Sequence, residues 1–222
     1  MLAYPKDDVP KSCKEQGQRL SRPSTGIYRL TDGNGTLFKA FCDFDSERGS
    51  AWTLIQAFAF ENNSLFQHKS LFDDDVPINS NSPNWNAYRL SRSRMLRLRN
   101  VSTYWRVTCN FTSGVTYRDY LRTTFANFDI MIYSTGGKCQ KYDFLDIRGN
   151  RCSNCTAWTY YSPDFTPFIE SYNSRIKKCQ FDGRINGGLK DETNFGYYGV
   201  SNPNFTCTSS PGATTEYWFG SY

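Results

Sequence analysis

Eight cysteines in 222 residues constrain this chain more than any other feature. They stand at Cys13, Cys42, Cys109, Cys139, Cys152, Cys155, Cys179 and Cys207. The count is even, which suits a disulfide framework. The competing chemistry is a metal site, because Cys152-x-x-Cys155 has a zinc-like spacing. Its partners would be Cys139 and Cys179, at irregular distances and with no second Cys-x-x-Cys. A second signal favours disulfides. Asn-x-Ser/Thr occurs six times, at Asn34, Asn62, Asn100, Asn110, Asn154 and Asn204. Each is an N-glycan acceptor if the chain enters a secretory pathway. Asn154 is the weakest, because its middle residue is Cys155. Even cysteines with many acceptors predict a secreted, extracellular, disulfide-bonded glycoprotein.

Only one histidine, His68, is present. That excludes every mechanism needing a histidine pair. His68 lies in a polar stretch with no nucleophile motif near it and reads as a solvated loop residue. No enzyme is expected, and no catalytic residue is assigned. The hydrophobic fraction is 38% and the aromatic fraction 17%, which requires a packed core and argues against disorder. No window approaches a transmembrane run, so no membrane insertion is expected. Met1-Leu-Ala-Tyr-Pro-Lys-Asp-Asp lacks the basic start and apolar run of a signal peptide. The chain is therefore expected to be a mature form or a piece of a longer precursor.

Residues 1–12 are polar, carry two prolines and read as a linker or tail. Residues 13–222 show no internal boundary and read as one domain. Two β-prone runs, at 27–30 and 37–44, flank an Asp-Gly/Asn-Gly loop, a hairpin signal with Asn34 at its tip. In the second run Phe38, Ala40, Cys42 and Phe44 share one face. Residues 50–56, 104–109 and 128–133 read as strands, and 61–86 as a long surface excursion. Residues 87–99 read as a short basic helix and 117–125 as a short helix or turn. Beyond residue 134 the chain reads as loop-rich, with five of the eight cysteines. Short strands, few helices and long bridged loops predict an α+β domain.

Four segments in order carry a family resemblance: Ser12-Cys13-Lys14-Glu15, Ser24-Thr25-Gly26-Ile27-Tyr28, Phe41-Cys42-Asp43-Phe44 and Ala51-Trp52-Thr53-Leu54-Ile55-Gln56. Together they resemble the opening of the fibrinogen C-terminal-like domain, shared with ficolins, tachylectins and, in its first segment, intelectins. The stretches around Asn84-Trp85-Asn86, Trp105-Arg106-Val107 and Asn194-Phe195-Gly196-Tyr197-Tyr198 look like divergent invertebrate members of that family. The resemblance implies short antiparallel sheets with long disulfide-bridged loops, and a Cys13–Cys42 bridge. The other six cysteines then allow 15 connectivities. It also implies a lectin-like function, or a place in a skeletal organic matrix. The family's calcium loop, an Asp-x-Asp-x-Asp run before a Cys pair, is absent here. No metal ligand is assigned and no cofactor is expected, with calcium left open.

Three clusters are candidate sites. The basic run Arg89, Arg92, Arg94, Arg97 and Arg99, with Arg106, could meet acidic glycans. Its bland reading, favoured here, is a solvated helix face with Leu90, Met95, Leu96 and Leu98 turned inward. Asp73-Asp74-Asp75 could offer oxygen ligands, but reads as a solvated acidic loop. The aromatic set Trp158, Tyr160, Tyr161, Tyr197, Tyr198 and Trp218 could form a platform for sugars, or a satellite core. Nothing in the spacing of Asp143, Asp146, Asp164, Glu170, Asp182 and Asp191 marks a glycosidase pair. A net charge of +5 is modest for a nucleic-acid binder, and none is expected as a partner. The expected function is non-enzymatic recognition of a glycan or an extracellular protein, with oligomers compatible. The alternative is a structural extracellular-matrix component.

Overall fold

A computed structural model describes residues 9–32, 34–171 and 178–222. Most of the predicted 1–12 tail therefore lies outside the described residues. The chain is mostly antiparallel sheet with few short helices and four disulfides, compatible with a disulfide-rich α+β domain. Among the described residues the strands form one eleven-stranded sheet. They are β1 (Gly26–Thr31), β2 (Leu37–Asp43), β3 (Ala51–Ala59), β4 (Ala87–Arg89), β5 (Tyr104–Cys109), β6 (Tyr120–Thr124), β7 (Gly137–Ile147), β8 (Asn150–Ser162), β9 (Phe165–Glu170), β10 (Thr193–Asn194) and β11 (Thr214–Ser221). The order is β1-β2-β3-β11-β5-β6-β7-β8-β9-β10, with β4 on β3.

The first helix, α1 (Cys13–Arg19), starts where the side chain of Ser12 accepts from the Glu15 N–H. Glu15 in turn accepts from the Lys11 N–H. Seven residues are too few to be helical alone. The Cys13–Cys42 bridge ties α1 to β2. In the β1–β2 hairpin, Asp32 accepts from the N–H groups of Asn34 and Thr36. Phe38, Ala40 and Cys42 are buried on one face of β2, while Leu37 and Lys39 are exposed.

Strand β11 is buried throughout, between β3 and β5. Gly220 is required there: a Cβ would lie 2.5 Å from the Ala51 carbonyl oxygen and the Trp52 ring. This is the centre of the core, where Trp52, Trp105 and Trp218 are at most 2% exposed. Arg106, fully buried, sits among these rings, 4.4 Å from the Trp52 centroid and 5.0 Å from that of Trp218. Its charge is met by Asp43 at 2.5 Å and Glu47 at 3.3 Å. Burial pushes the Asp43 carboxyl up, but Arg106 and bonds from Ser46 hold it below its ordinary value.

Several expectations need correction. Residues 120–124, read as helix or turn, are strand β6, whose β-branched Thr123 and Thr124 pair with Trp105 and Tyr104. Residues 128–133, read as a strand, form a turn pinned by ring donors: Trp105 Nε1 donates to the Phe128 carbonyl and Tyr161 Oη to that of Ile130. The part after 134, read as loop-rich, holds the two longest strands. They are joined by a two-residue turn, Arg148-Gly149, with both φ positive (55° and 79°). Their outer faces carry Lys, Ser, Asn and Thr, which hides a strand from composition. Residues 61–86 are not wholly surface, since Phe66, Leu71 and Phe72 are core residues. The basic segment divides into β4 and α2 (Arg92–Asn100). All eight cysteines are bridged, in the further pairs Cys109–Cys207, Cys139–Cys179 and Cys152–Cys155, which leaves no thiol for zinc.

Candidate functional site

The predicted aromatic set divides in two. Tyr161, Tyr198 and Trp218 are core residues, at 1%, 5% and 0% exposure, and cannot meet a ligand. Along β8 the faces alternate, so Tyr161 points inward while Trp158 and Tyr160 stay half-exposed on the outer face. Tyr198 and Trp218 are held by bonds to Thr215 and Thr108.

Tyr160 and Tyr197 come together with three residues that the sequence reading did not single out for the site. The β8–β9 turn, Pro163-Asp164, brings Phe165 and Phe168 back beside Tyr160, at ring-centroid distances of 5.9 and 5.4 Å. Tyr197 packs 5.4 Å from Phe165 and 5.7 Å from Phe168. The exposed ring of His68 closes the group, 5.4 Å from both Phe165 and Tyr197. A Pro-Asp turn flanked by aromatic runs is a hairpin signal and could have located Phe165. Nothing local could place His68 or Tyr197, which arrive from distant segments.

The scaffold beneath these rings is tightly determined. Thr166 takes the loop before His68 onto β9: its N–H donates to Gln67 O at 3.1 Å and its hydroxyl to Phe66 O at 2.6 Å. Tyr217 Oη, from the core strand β11, donates to the Phe195 carbonyl. Thr193 donates to the Tyr197 carbonyl. Phe195 is buried with φ at +69°, a left-handed conformation that an aromatic residue adopts only under tertiary constraint. Beside it, Gly196 lies so close to β9 that a Cβ would sit 2.0 Å from the Pro167 carbonyl oxygen. The result is a partly exposed aromatic surface on a backbone that cannot easily shift. Trp158 stands apart from the five-ring cluster, covered by Gly137 and with the Lys178 ammonium 5.9 Å from its ring.

An open groove of about 360 Å³ lies elsewhere, between α1, the turn after β2 and the end of β11, lined by Lys14, Gln18, Pro23, Phe44, Gly49 and Tyr222.

The basic run is not an open cationic face. Arg89 is fully buried and donates to the carbonyls of Ser70 and Asp74, tying down the 69–74 loop. Arg92 bonds to Phe72, Arg94 lies over the Phe38 ring, Arg97 bonds to Asn34 and Arg99 pairs with Asp129. Leu90, Met95 and Leu98 face the core, with Leu96 partly buried. The acidic run is also engaged: Asp74 accepts from Ser70 N and Asp75 from the first N–H of α2, both at 2.8 Å.

Of the glycan acceptors, Asn34, Asn100, Asn154 and Asn204 are exposed. Asn62 donates to the Asn86 carbonyl, and Asn110 accepts from Thr214 N at 2.8 Å. Among the described residues no helix is long and apolar enough to cross a membrane. No protein-family model matches the chain.

Proposed function

We propose that this protein is a secreted, N-glycosylated, non-enzymatic recognition module that binds glycans through the surface formed by Tyr160, Phe165, Tyr197 and His68. The observation that carries the reading is the partly exposed aromatic cluster itself, built from three separated segments on a constrained backbone. Sugar rings present flat C–H faces that stack on aromatic rings, and a pre-organised surface loses little entropy on binding. His68 and the Tyr160 and Tyr197 hydroxyls add hydrogen-bonding capacity at the rim. We also infer a divergent fibrinogen-like domain. The reading is supported by the α1, hairpin and β3 placement of the four resembling segments and by the Cys13–Cys42 bridge.

The test is a glycan-array assay on protein from a secretory host, with and without chelator. Saturable binding to a defined glycan class is expected. Tyr160→Ala and Tyr197→Ala should each weaken it about tenfold, as for central aromatic contacts elsewhere. Loss with chelator would reveal a calcium requirement. Silence across the array with correctly bridged protein would refute the glycan reading and favour a protein-binding or matrix role.

A further inference from the structure

The four bridges differ in what they hold. Cys13–Cys42 joins α1 to β2, Cys109–Cys207 joins β5 to the turn at 206–208, and Cys139–Cys179 fastens the segment at 179 to β7. Their sequence separations are 29, 98 and 40 residues, so each closes a substantial loop. Cys152–Cys155 spans three. The constraint a bridge places on the unfolded chain grows with loop length, so this one restricts least. In the folded chain it restricts little more. Both cysteines belong to β8 and are already placed by the β7 ladder, through Leu145↔Cys152 and Tyr142↔Cys155. That ladder runs from Ile147↔Asn150 to Gly137↔Tyr160, interrupted only opposite Asp143, where Asn154 takes a left-handed φ of 51°, so pairs on both sides of the bridge hold the strand.

The surroundings are asymmetric. Cys155 is 5% exposed, whereas Cys152 is partly exposed between the exposed residues Arg151 and Ser153. An incoming thiol therefore reaches Cys152 first.

We propose that Cys152–Cys155 is an exchangeable bridge, through which the folded protein takes an external thiol into a reversible mixed disulfide. The thiolate attacks Cys152 Sγ and forms the new sulfur–sulfur bond. The Cys152–Cys155 bond breaks, and Cys155 Sγ leaves with the electron pair and takes a proton from water. One disulfide is consumed and one formed, so no outside oxidant is needed. In reverse, the Cys155 thiolate attacks Cys152 and expels the thiol.

The probe is reduced glutathione, added to the native protein at mildly alkaline pH. Samples are quenched in acid, alkylated and mapped by mass spectrometry, with circular dichroism and thermal melting in parallel. Glutathione is expected on Cys152, with Cys155 alkylated, at least tenfold faster than at any other cysteine and with the melting temperature unchanged. Cys152→Ala/Cys155→Ala should fold normally and take up none. An Asn154→Gln form is run beside the parent chain, because a glycan on Asn154 would shield the bridge. Exchange in both forms, or in Asn154→Gln alone, supports the proposal. It is overturned by exchange in neither, by Cys139–Cys179 or another bridge opening first, or by loss of the folded signal as the 152/155 pair opens.

Discussion

Glu216 offers the sharpest test of the electrostatics of this core. It lies in β11, fully buried, and makes no ion pair among the described residues. Its carboxyl is instead bonded to the hydroxyls of Thr108 and Thr214, with the Phe111 N–H at 3.4 Å. Burial pushes the carboxyl up and these bonds pull it back, leaving it at about 7 against an ordinary 4.5. The folded chain thus holds this proton more tightly than the unfolded chain does. Below pH 4.5 both states are protonated and the group favours neither. As pH rises toward 7 the unfolded chain ionises freely while the folded chain resists, so stability falls. Above 7 the full penalty is present, about 3 kcal/mol at 1.36 kcal/mol per pH unit. Glu216→Gln keeps the shape and removes the titration. Urea unfolding with disulfides intact, at pH 5, 6, 7 and 8, gives the stability difference between the two proteins, in which other titrating groups cancel. Relative to pH 5, where part of the penalty is already present, the variant should gain about 2.5 kcal/mol on the parent by pH 8, mostly between pH 5 and 7. A difference that does not change with pH would refute the reasoning.

Arg106→Met should destabilise by about 3–5 kcal/mol at neutral pH, because Asp43 stays buried without its cation and Glu47 keeps only Arg122, at 3.6 Å; chemical denaturation measures it, and a near-neutral effect would mean Asp43 is not held as a charge. Gly196→Ala should cost about 2 kcal/mol or more, since the methyl cannot pass the Pro167 carbonyl. The same variant should weaken ligand binding by displacing Tyr197, and unchanged stability and binding would contradict the close approach. Peptide mapping of secreted protein after enzymatic deglycosylation in heavy-oxygen water should find glycans at the exposed Asn34, Asn100 and Asn204. Asn110 should be unmodified, because its carboxamide is bonded to Thr214 and Thr206 in the fold.

Recognition of local elements from the sequence succeeded where one face is apolar and the turn is marked. The β1–β2 hairpin is of this kind, since alternation and an Asp-Gly/Asn-Gly turn act over a few residues, whereas β3 and β5, buried on nearly every residue, are legible as short β-prone apolar runs. It failed at β7 and β8, whose turn is Arg148-Gly149 and whose outer faces are polar and bridged. There the strand state is imposed by pairing with β6 and β9. It failed again at residues 128–133, an apolar run that caps the core as a turn because Trp105 and Tyr161 supply donors for its carbonyls.

The residue types alone determined that this chain has an even set of eight cysteines, is aromatic-rich and lacks a histidine pair, because those statements need only counts. They also determined the short-range periods of its clearest strands. Which rings meet solvent was decided only by tertiary structure. Tyr160 and Tyr161 are adjacent and chemically identical, yet the pleat sends one outward and the other into the core. His68 and Tyr197 lie far apart in the chain, and only Thr166, Gly196 and Tyr217 bring them onto the same hairpin. Pairing of the last six cysteines is likewise a property of the fold, since fifteen connectivities share one sequence and only strand order selects among them.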